Sequence, residues 1–373
     1  MRFMHACMDA FPADPETASG RTVWLLTDDR PGNRTQVVGV ARALGWPAQE
    51  KRLAFNERQS SATPRLGASL ETLDDASRKT IAPPWPDLVL AAGRRAVPVA
   101  RHVKAASGGR ARIVLIGRRT PAEGADLVIR CSYFRQAPSP NLLELTLPPT
   151  QVDAAMLRRV KAEQPDPLAG LKRPVCVFLV GGETGRHRFE PDFVERMARD
   201  VATAAHTAGA SLAIVTSRRT GAGGVAALKR GASEATLHEW RADAVSNPFL
   251  ALLANADILA VTGESESMLA EAAASGKPLT IYPLVPRPLS PRLRIRAAIA
   301  SAATGNGPLA PLFARLMNAG WVSPRRDLSE LHVLIERRGW GRVFDGALNR
   351  VPPAPFEEGA VAARRIEALF GSG

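Results

Sequence analysis

Glu271 and the residues bracketing it carry the strongest chemical signal in this chain. Residues 256–284 read ADILAVTGESESMLAEAAASGKPLTIYPL. The spacing predicts a buried strand, a sharp turn at Gly263, a helix opening on Ser265, and a second buried strand entered through Gly276, Lys277 and Pro278. A βαβ unit of this kind aims a helix N-terminus at the carboxyl edge of a parallel sheet, where phosphate is the favoured guest. Glu264 and the pair Ser267 and Met268 precede Glu271 by about two turns and one turn on the same helical side. Amides and dipole for a diphosphate, with a carboxylate for ribose hydroxyls, would suit a nucleotide sugar. A surface acid near a helix start is favoured by the macrodipole in any case. The neighbouring Gly263, Ser265 and Ser267 tip the reading towards a ligand.

Three further loops follow strand-like runs. LTDDRPGNRTQ, residues 26–36, places Asp28 and Asp29 at a strand end, turns at Pro31-Gly32, and offers Asn33 as a helix cap. An ordinary βα loop needs a cap and a small residue but not two adjacent acids. Gly32 would let backbone approach a ligand, and Asp28 or Asp29 is a candidate general base for an acceptor hydroxyl. LVGGETGRHRFEPDF, residues 179–193, combines Gly181, Gly182 and Thr184 with Arg186, His187 and Arg188. Exposed glycine amides beside basic groups suit phosphate. VTSRRTGAGG, residues 215–224, supplies Ser217, Arg218 and Arg219, and paired arginines can clamp a phosphate bidentately. A solvated turn explains that loop equally well. The glycines from Gly221 onward match a dinucleotide fingerprint, but four residues separate them from the strand, where the tight turn is needed.

Several chemistries have no support. The chain has no Asp-x-Asp, no Gly-x-Ser-x-Gly and no His-Glu-x-x-His, and its six histidines are scattered. Cys7, Cys131 and Cys176 are too widely spaced for a disulfide framework or a thiolate zinc site. Neither a metal nor another cofactor is expected. The net charge is +13, and residues 21–150 hold 20 Lys/Arg against 11 Asp/Glu. A basic first half suits anionic lipid or an acidic acceptor. Only seven of the 49 basic residues are lysine, which fits a coding bias as well as a selected patch. Nucleic acid is not an expected partner. The opening MRFMHACMDAFPADPE has acids and proline where a signal peptide needs an apolar run. A cytoplasmic location is expected, with peripheral contact at the inner face of the plasma membrane.

These loops need rigid elements to hold them. Strand-like runs cover Thr22–Thr27, Asp87–Ala91, Ile113–Ile116, Leu127–Ile129, Val175–Val180, Ser211–Thr216, Ile258–Thr262 and Leu279–Tyr282. Helical periodicity covers Gln36–Leu44, Val97–Lys104, Phe189–Ala208 and Ser265–Ser275. Residues 57–80 lack a period and read as a loop or an ill-ordered insertion. Alternating β and α elements predict parallel sheets with helices on both faces. At 373 residues the chain should form two domains. Residues 21–150 would be an acceptor-side domain and 170–345 a nucleotide-sugar domain. The segment 350–373 would be a helix packing back through Ala362, Ile366, Leu369 and Phe370.

TDDRPGNRTQ, FLVGGETGRHRF, IVTSRRTG and NPFLALLANADILAVTGESESMLAEAAASGKP together resemble the elongated-mitochondria (ELM) mitochondrial-fission family over roughly residues 21–345. That family is similar to two-domain glycosyltransferases of the GT-B type. The resemblance implies two Rossmann-like α/β domains with parallel sheets facing a cleft. The lipid-linked GlcNAc transferase of peptidoglycan synthesis and the UDP-GlcNAc 2-epimerases carry a comparable Gly…Glu…Gly pattern. Their glutamate five residues before the closing glycine holds ribose, and Glu271 stands five before Gly276. The expected activity is that of a metal-independent transferase moving a sugar from a nucleotide donor, UDP-linked, to an envelope glycolipid or glycan; the missing Asp-x-Asp speaks against a metal, and the basic first half and cytoplasmic location point to the acceptor. Gly181, Gly182, Arg186, Arg218 and the Ser265 helix start would neutralise the diphosphate. The alternatives are a non-catalytic membrane-associated adaptor, as in the plant members, and a nucleotide-sugar epimerase using Asp28, Asp29 and His187.

Overall fold

The computed structural model describes residues 20–60, 66–117, 124–134, 137, 139–241, 248–318 and 327–371. The opening stretch with Cys7, and residues 61–65 of the predicted insertion, lie outside them. The chain divides into two compact units: residues 1–151, 293–326 and 357–373, and residues 152–292 and 327–356. Residues 293–326 thus group with the first unit, although they fall inside the 170–345 segment.

The first unit begins β1 (Val23–Thr27), α1 (Pro31–Leu44), β2 (Ala48–Arg52), α2 (Asp75–Thr80), β3 (Leu88–Ala92), α3 (Val97–Ala106), β4 (Arg112–Ile116), β5 (Leu127–Cys131) and β6 (Leu142–Leu145). Among the described residues its sheet has six parallel strands in the order β2-β1-β3-β4-β5-β6. The inner strands β1, β3 and β5 are buried along their whole length, because parallel strands covered on both faces must be apolar throughout. Helix α1 starts at Pro31 and stops at Gly45. That glycine takes φ +66°, and its N–H donates to the Ala41 and Arg42 carbonyls. The helix therefore opens earlier than the Gln36 its periodicity suggests, since a proline at its first position loses no intrahelical bond.

The predicted loop at 57–80 is partly core. Leu73 is fully buried and packs with Leu26, Val89 and Leu115. Asp74 caps α2 by accepting from the Ser77 N–H. One apolar residue and a cap carry too little periodicity to be read in advance.

The second unit contains α4 (Ala154–Glu163), β7 (Val175–Val180), α5 (Pro191–Thr207), β8 (Ser211–Thr216), α6 (Gly221–Gly231), β9 (Thr236–His238), α7 (Phe249–Asn255), β10 (Ile258–Thr262), α8 (Glu266–Ala274) and β11 (Leu279–Tyr282). Helices α9 (Pro291–Ala303) and α10 (Ala310–Asn318) follow, the first straddling the boundary between units. The second unit closes with α11 (Leu328–Arg337) and β12 (Arg342–Val343). Its sheet, again six parallel strands among the described residues, runs β12-β11-β10-β7-β8-β9. Val194, Met197, Ala198 and Val201 of α5 recur at helical spacing and cover Phe178 and Ile214.

Helix α12 (Glu358–Glu367) buries Ala362, Ala363 and Ile366 in the first unit's core against Val37, Val38 and Val40. The Glu358 carboxylate accepts from the Thr146 N–H at 3.0 Å. Phe370 meets the edge of Trp46, and the Arg21 guanidinium lies over both rings.

Each strand order reverses once. In the first sheet the reversal falls between β1 and β3, and in the second between β7 and β10. The loops leaving those strands therefore diverge, and open α/β sheets hold ligands in the gap.

Candidate functional site

In the second unit the gap lies beneath the loops after β7, β8 and β10. Their centre is Glu264, whose side chain is fully buried. Its Oε1 accepts the Gly182 N–H at 2.7 Å, while its Oε2 is buried without a hydrogen-bond partner. The Arg219 guanidinium stands 3.6 Å away. Burial pushes the Glu264 carboxyl above its ordinary value, and the Gly182 amide and Arg219 offset only part of that. The acid therefore favours its neutral form more than a surface glutamate does.

Gly181 and Gly182 make this packing feasible. A Cβ on Gly181 would overlap the Glu264 carboxyl, and one on Gly182 would overlap the Arg219 backbone carbonyl. The Gly181 N–H donates to Thr262 Oγ1 at 2.8 Å. The Gly181 carbonyl accepts from the Ser217 and Thr220 hydroxyls. The expectation that Gly181 and Gly182 expose amides to a diphosphate is thereby corrected: both amides are buried and used within the protein. Ser217 is corrected likewise, since its hydroxyl fixes the Gly181 carbonyl. Glu264 is corrected too, because it lies in the protein interior. Sequence spacing cannot separate a glycine that admits a ligand from one that admits a neighbouring side chain.

Gly263 belongs to the second kind. Its missing Cβ leaves room for the His332 imidazole from α11, and His332 Nε2 lies 2.8 Å from the Gly263 carbonyl. That contact makes Nε2–H the donor. Burial holds His332 below the ordinary imidazole range. His332 stands far from Gly263 in sequence and gave no motif.

The remaining predicted groups present themselves at the surface of this unit. Ser265 precedes α8, and its hydroxyl makes no capping hydrogen bond to that helix. The Arg219 guanidinium instead donates to Ser265 Oγ at 3.3 Å. Ser267, Met268 and Glu271 lie half-buried along α8, and Arg218 is exposed. The loop of Thr184, Arg186 and His187 is pinned to the segment after β11. There the Arg188 N–H donates to the Val285 carbonyl and the Arg287 N–H to the Arg186 carbonyl, both at 2.7 Å. The Thr184 hydroxyl lies 3.2 Å from His187 Nδ1. Arg287, which the motifs did not single out, bridges Glu183 and Glu190 and stiffens the loop from below.

The first unit carries its own arrangement at the β1/β3 gap. The Arg95 guanidinium, from the loop after β3, pairs with both Asp28 and Asp29. It stacks over Phe55 at 4.9 Å. Asp28 also accepts from Asn33 Nδ2 and from the Arg30 N–H, each at 3.1 Å. Asn33 is thus not the cap of α1. It sits within the first turn, the N-cap is Arg30, and its amide braces Asp28. The hydrogen bond from Arg95 holds the Asp29 carboxyl below the usual range, against a smaller opposing effect of burial. Two acids tied to one guanidinium make poor general bases, so the base role expected of Asp28 or Asp29 is not supported by the geometry. Gly32 faces open space. Thr27, Asp28, Asp29, Arg34, Glu50 and Arg52 line a surface cavity of about 480 Å³. Among the described residues no three His, Cys, Asp or Glu side chains converge as a metal site.

The α/β architecture resembles that of solved structures. A structure assigned as a UDP-N-acetylglucosamine 2-epimerase from Listeria monocytogenes superposes with a TM-score of 0.50 at 14% identity, covering 94% of this chain and 95% of that one. MurG from Acinetobacter baumannii gives a TM-score of 0.41 at 14% identity, with 93% and 99% covered. The fold is accordingly α/β of the GT-B class, two Rossmann-like units with parallel sheets. The mitochondrial fission protein ELM1 of Arabidopsis thaliana is 24% identical over 240 residues, which span 58% of this chain and 56% of the plant protein. The profile of the mitochondrial fission ELM1 family matches residues 31–300, and the chain belongs to that family.

Proposed function

We propose that the second unit binds the diphosphate of a nucleotide sugar, UDP-linked, and that the protein transfers the sugar to an envelope glycolipid or glycan. The observation that supports this most is the placement of Arg219. Its side chain is 36% exposed, and its guanidinium rests between Ser265 Oγ and the Glu264 carboxyl, beside the start of α8, which Ser265 does not cap, at the sheet's reversal point. A cation and helix amides at one spot suit a doubly charged leaving group. Arg218 and Arg186, both exposed on adjoining loops, would add charge as the diphosphate departs. Glu271 would hold the ribose hydroxyls. With its amides spent internally, the Gly181-Gly182 turn acts as the rigid floor of this site.

The adaptor reading has one observation in its favour. Gly181, Gly182, Ser217 and Glu264 engage one another, which a scaffold needs as much as an enzyme does.

A thermal-shift panel of UDP, GDP, CDP and CMP with their sugars tests the choice, on wild type, Arg219→Ala and Glu271→Ala. A ligand that binds the native state raises the melting temperature by mass action. A shift from one nucleotide family that both variants lose is the expected result. No shift from any nucleotide at millimolar concentration removes the transferase reading and leaves the adaptor.

A further inference from the structure

We propose that the exposed apolar stripe of α10, together with the first turn of α9 from Leu293 onward, docks on an anionic phospholipid bilayer. Five large apolar side chains stand in solvent along this short stretch: Leu293, Ile295, Leu309, Leu312 and Leu316. Ile295 is 63% exposed, Leu309 58% and Leu312 54%. Both helices are anchored elsewhere on their surface. Ala300, Ala303 and Met317 are buried with Ala137, and Phe313 and Ala314 pack against them. The exposed leucines are therefore not the frayed edge of an unpacked segment. Leu309, Leu312 and Leu316 recur at i, i+3 and i+7, so they form one stripe that the fold turns outward. An exposed apolar stripe on a helix whose other residues are packed marks a binding face.

Charge selects the partner. From Pro283 to Asn318 the chain carries no aspartate or glutamate. Arg294 stands exposed between Leu293 and Ile295, and the exposed Arg315 is the immediate neighbour of Leu316. Arginines interleaved with exposed leucines match the bilayer boundary, where guanidinium heads meet lipid phosphates and apolar side chains enter the acyl region. Nucleic acid would take the arginines but leave the leucines in water. The contact would bring the first unit to a lipid-linked acceptor. It shares no residue with the nucleotide site, so it stands or falls separately from the donor reading.

The experiment is co-sedimentation of the full chain with phosphatidylcholine vesicles, with and without phosphatidylglycerol. Wild type is compared with Leu312→Glu/Leu316→Glu and with Arg294→Glu/Arg315→Glu, circular dichroism reporting the fold. Binding is expected only with phosphatidylglycerol and should weaken as salt is raised. Loss of each arginine should weaken it about fivefold, and the leucine pair should abolish it. Failure to sediment with phosphatidylglycerol vesicles overturns the proposal. So does undiminished binding by variants that keep the native spectrum. Should the leucine pair fail to fold, the arginine pair decides, because those side chains are exposed and leave the packed side intact. A wild-type dimer that ignores vesicles and dissociates in the leucine variant would assign the face to self-association instead. The nucleotide shift, read on the same variants without vesicles, keeps the two hypotheses apart.

Discussion

The Gly182 amide donates to Glu264 Oε1 at 2.7 Å, and this one bond ties together the two loops that diverge where the second sheet reverses. It explains a buried acid and a glycine pair at once. The carboxyl needs a donor because it is out of water, and the backbone can come that close only if Gly181 and Gly182 have no side chains. Gly181→Ala is predicted to destabilise the protein by ~2 kcal/mol or more, through overlap with Glu264. Glu264→Gln keeps the acceptor and should be tolerated. Glu264→Ala strands the Gly182 amide and should cost ~1–3 kcal/mol. Urea unfolding of the three variants checks the order; an Ala variant of Glu264 as stable as the Gln variant would show that the bond contributes nothing.

The same acid sets a pH dependence. Burial raises its folded pKa above the ordinary 4.5. The native state then keeps a proton that the unfolded chain gives up. Stability from this group is full below about pH 4.5 and is lost as pH rises through the folded pKa. Glu264→Gln has no proton to lose, so its advantage over wild type is predicted to grow with pH above that range. Unfolding free energies measured from pH 4 to 8 test this, and a constant offset would contradict it.

His332 works in the other direction. Burial against Gly263 lowers its folded pKa from the ordinary 6.5, and its Nε2–H donates to the Gly263 carbonyl. The unfolded chain takes up a proton that the native state resists. Stability is therefore present above pH 6.5 and declines as pH falls through the folded value. His332→Gln is predicted to flatten that decline. An unchanged acid limb in the variant would show that the ring is already protonated when buried.

How far these features were legible depends on the range of the interaction. Val175–Val180, Ser211–Thr216, Ile258–Thr262 and Leu279–Tyr282 were read from sequence with the bounds they have in the structure. Each is a short apolar run between turn residues, a purely local signal. The strand at Ala48–Arg52, AQEKR, was missed because it lies at the sheet edge and is only half-buried. The site was legible as loops but not as partners. Asp28 and Asp29 stood out as chemistry, yet Arg95, which neutralises them, comes from another loop 66 residues away. Glycines signalled close approach correctly and named the wrong guest, because His332 and Glu264 reach them only through the tertiary fold.

Arg95 offers a sharp test of that pairing. Its side chain and that of Asp28 are 10% and 6% exposed, so removing it leaves a buried carboxylate unpaired. Arg95→Met is predicted to cost about 3–5 kcal/mol, the usual cost of breaking a buried pair from one side. Asp29, most of whose side chain is in solvent, should return towards 3.8 once its hydrogen bond is gone. Its contribution to stability is present above that value and is lost as pH falls through the depressed folded pKa. Carboxyl chemical shifts followed by NMR titration report Asp29 directly. A low titration midpoint that persists in Arg95→Met would place the cause in the backbone of the β1 loop instead.

Arg219 and Glu271 separate charge from hydroxyl recognition within the proposed donor site. Arg219 faces the α8 start, so Arg219→Ala should weaken UDP and inorganic pyrophosphate alike. A bidentate, charge-assisted contact contributes ~2 kcal/mol, or about thirtyfold in affinity. Glu271 lies farther along α8 and is assigned to ribose, so Glu271→Ala should weaken UDP while leaving pyrophosphate unaffected. Calorimetry with both ligands on both variants gives four affinities. Equal losses of pyrophosphate binding in the two variants would mean that Glu271 acts on the diphosphate region and not on the sugar hydroxyls. A thirtyfold loss confined to UDP in Arg219→Ala would exclude the phosphate clamp, since a guanidinium at a helix start cannot distinguish two diphosphates by their charge.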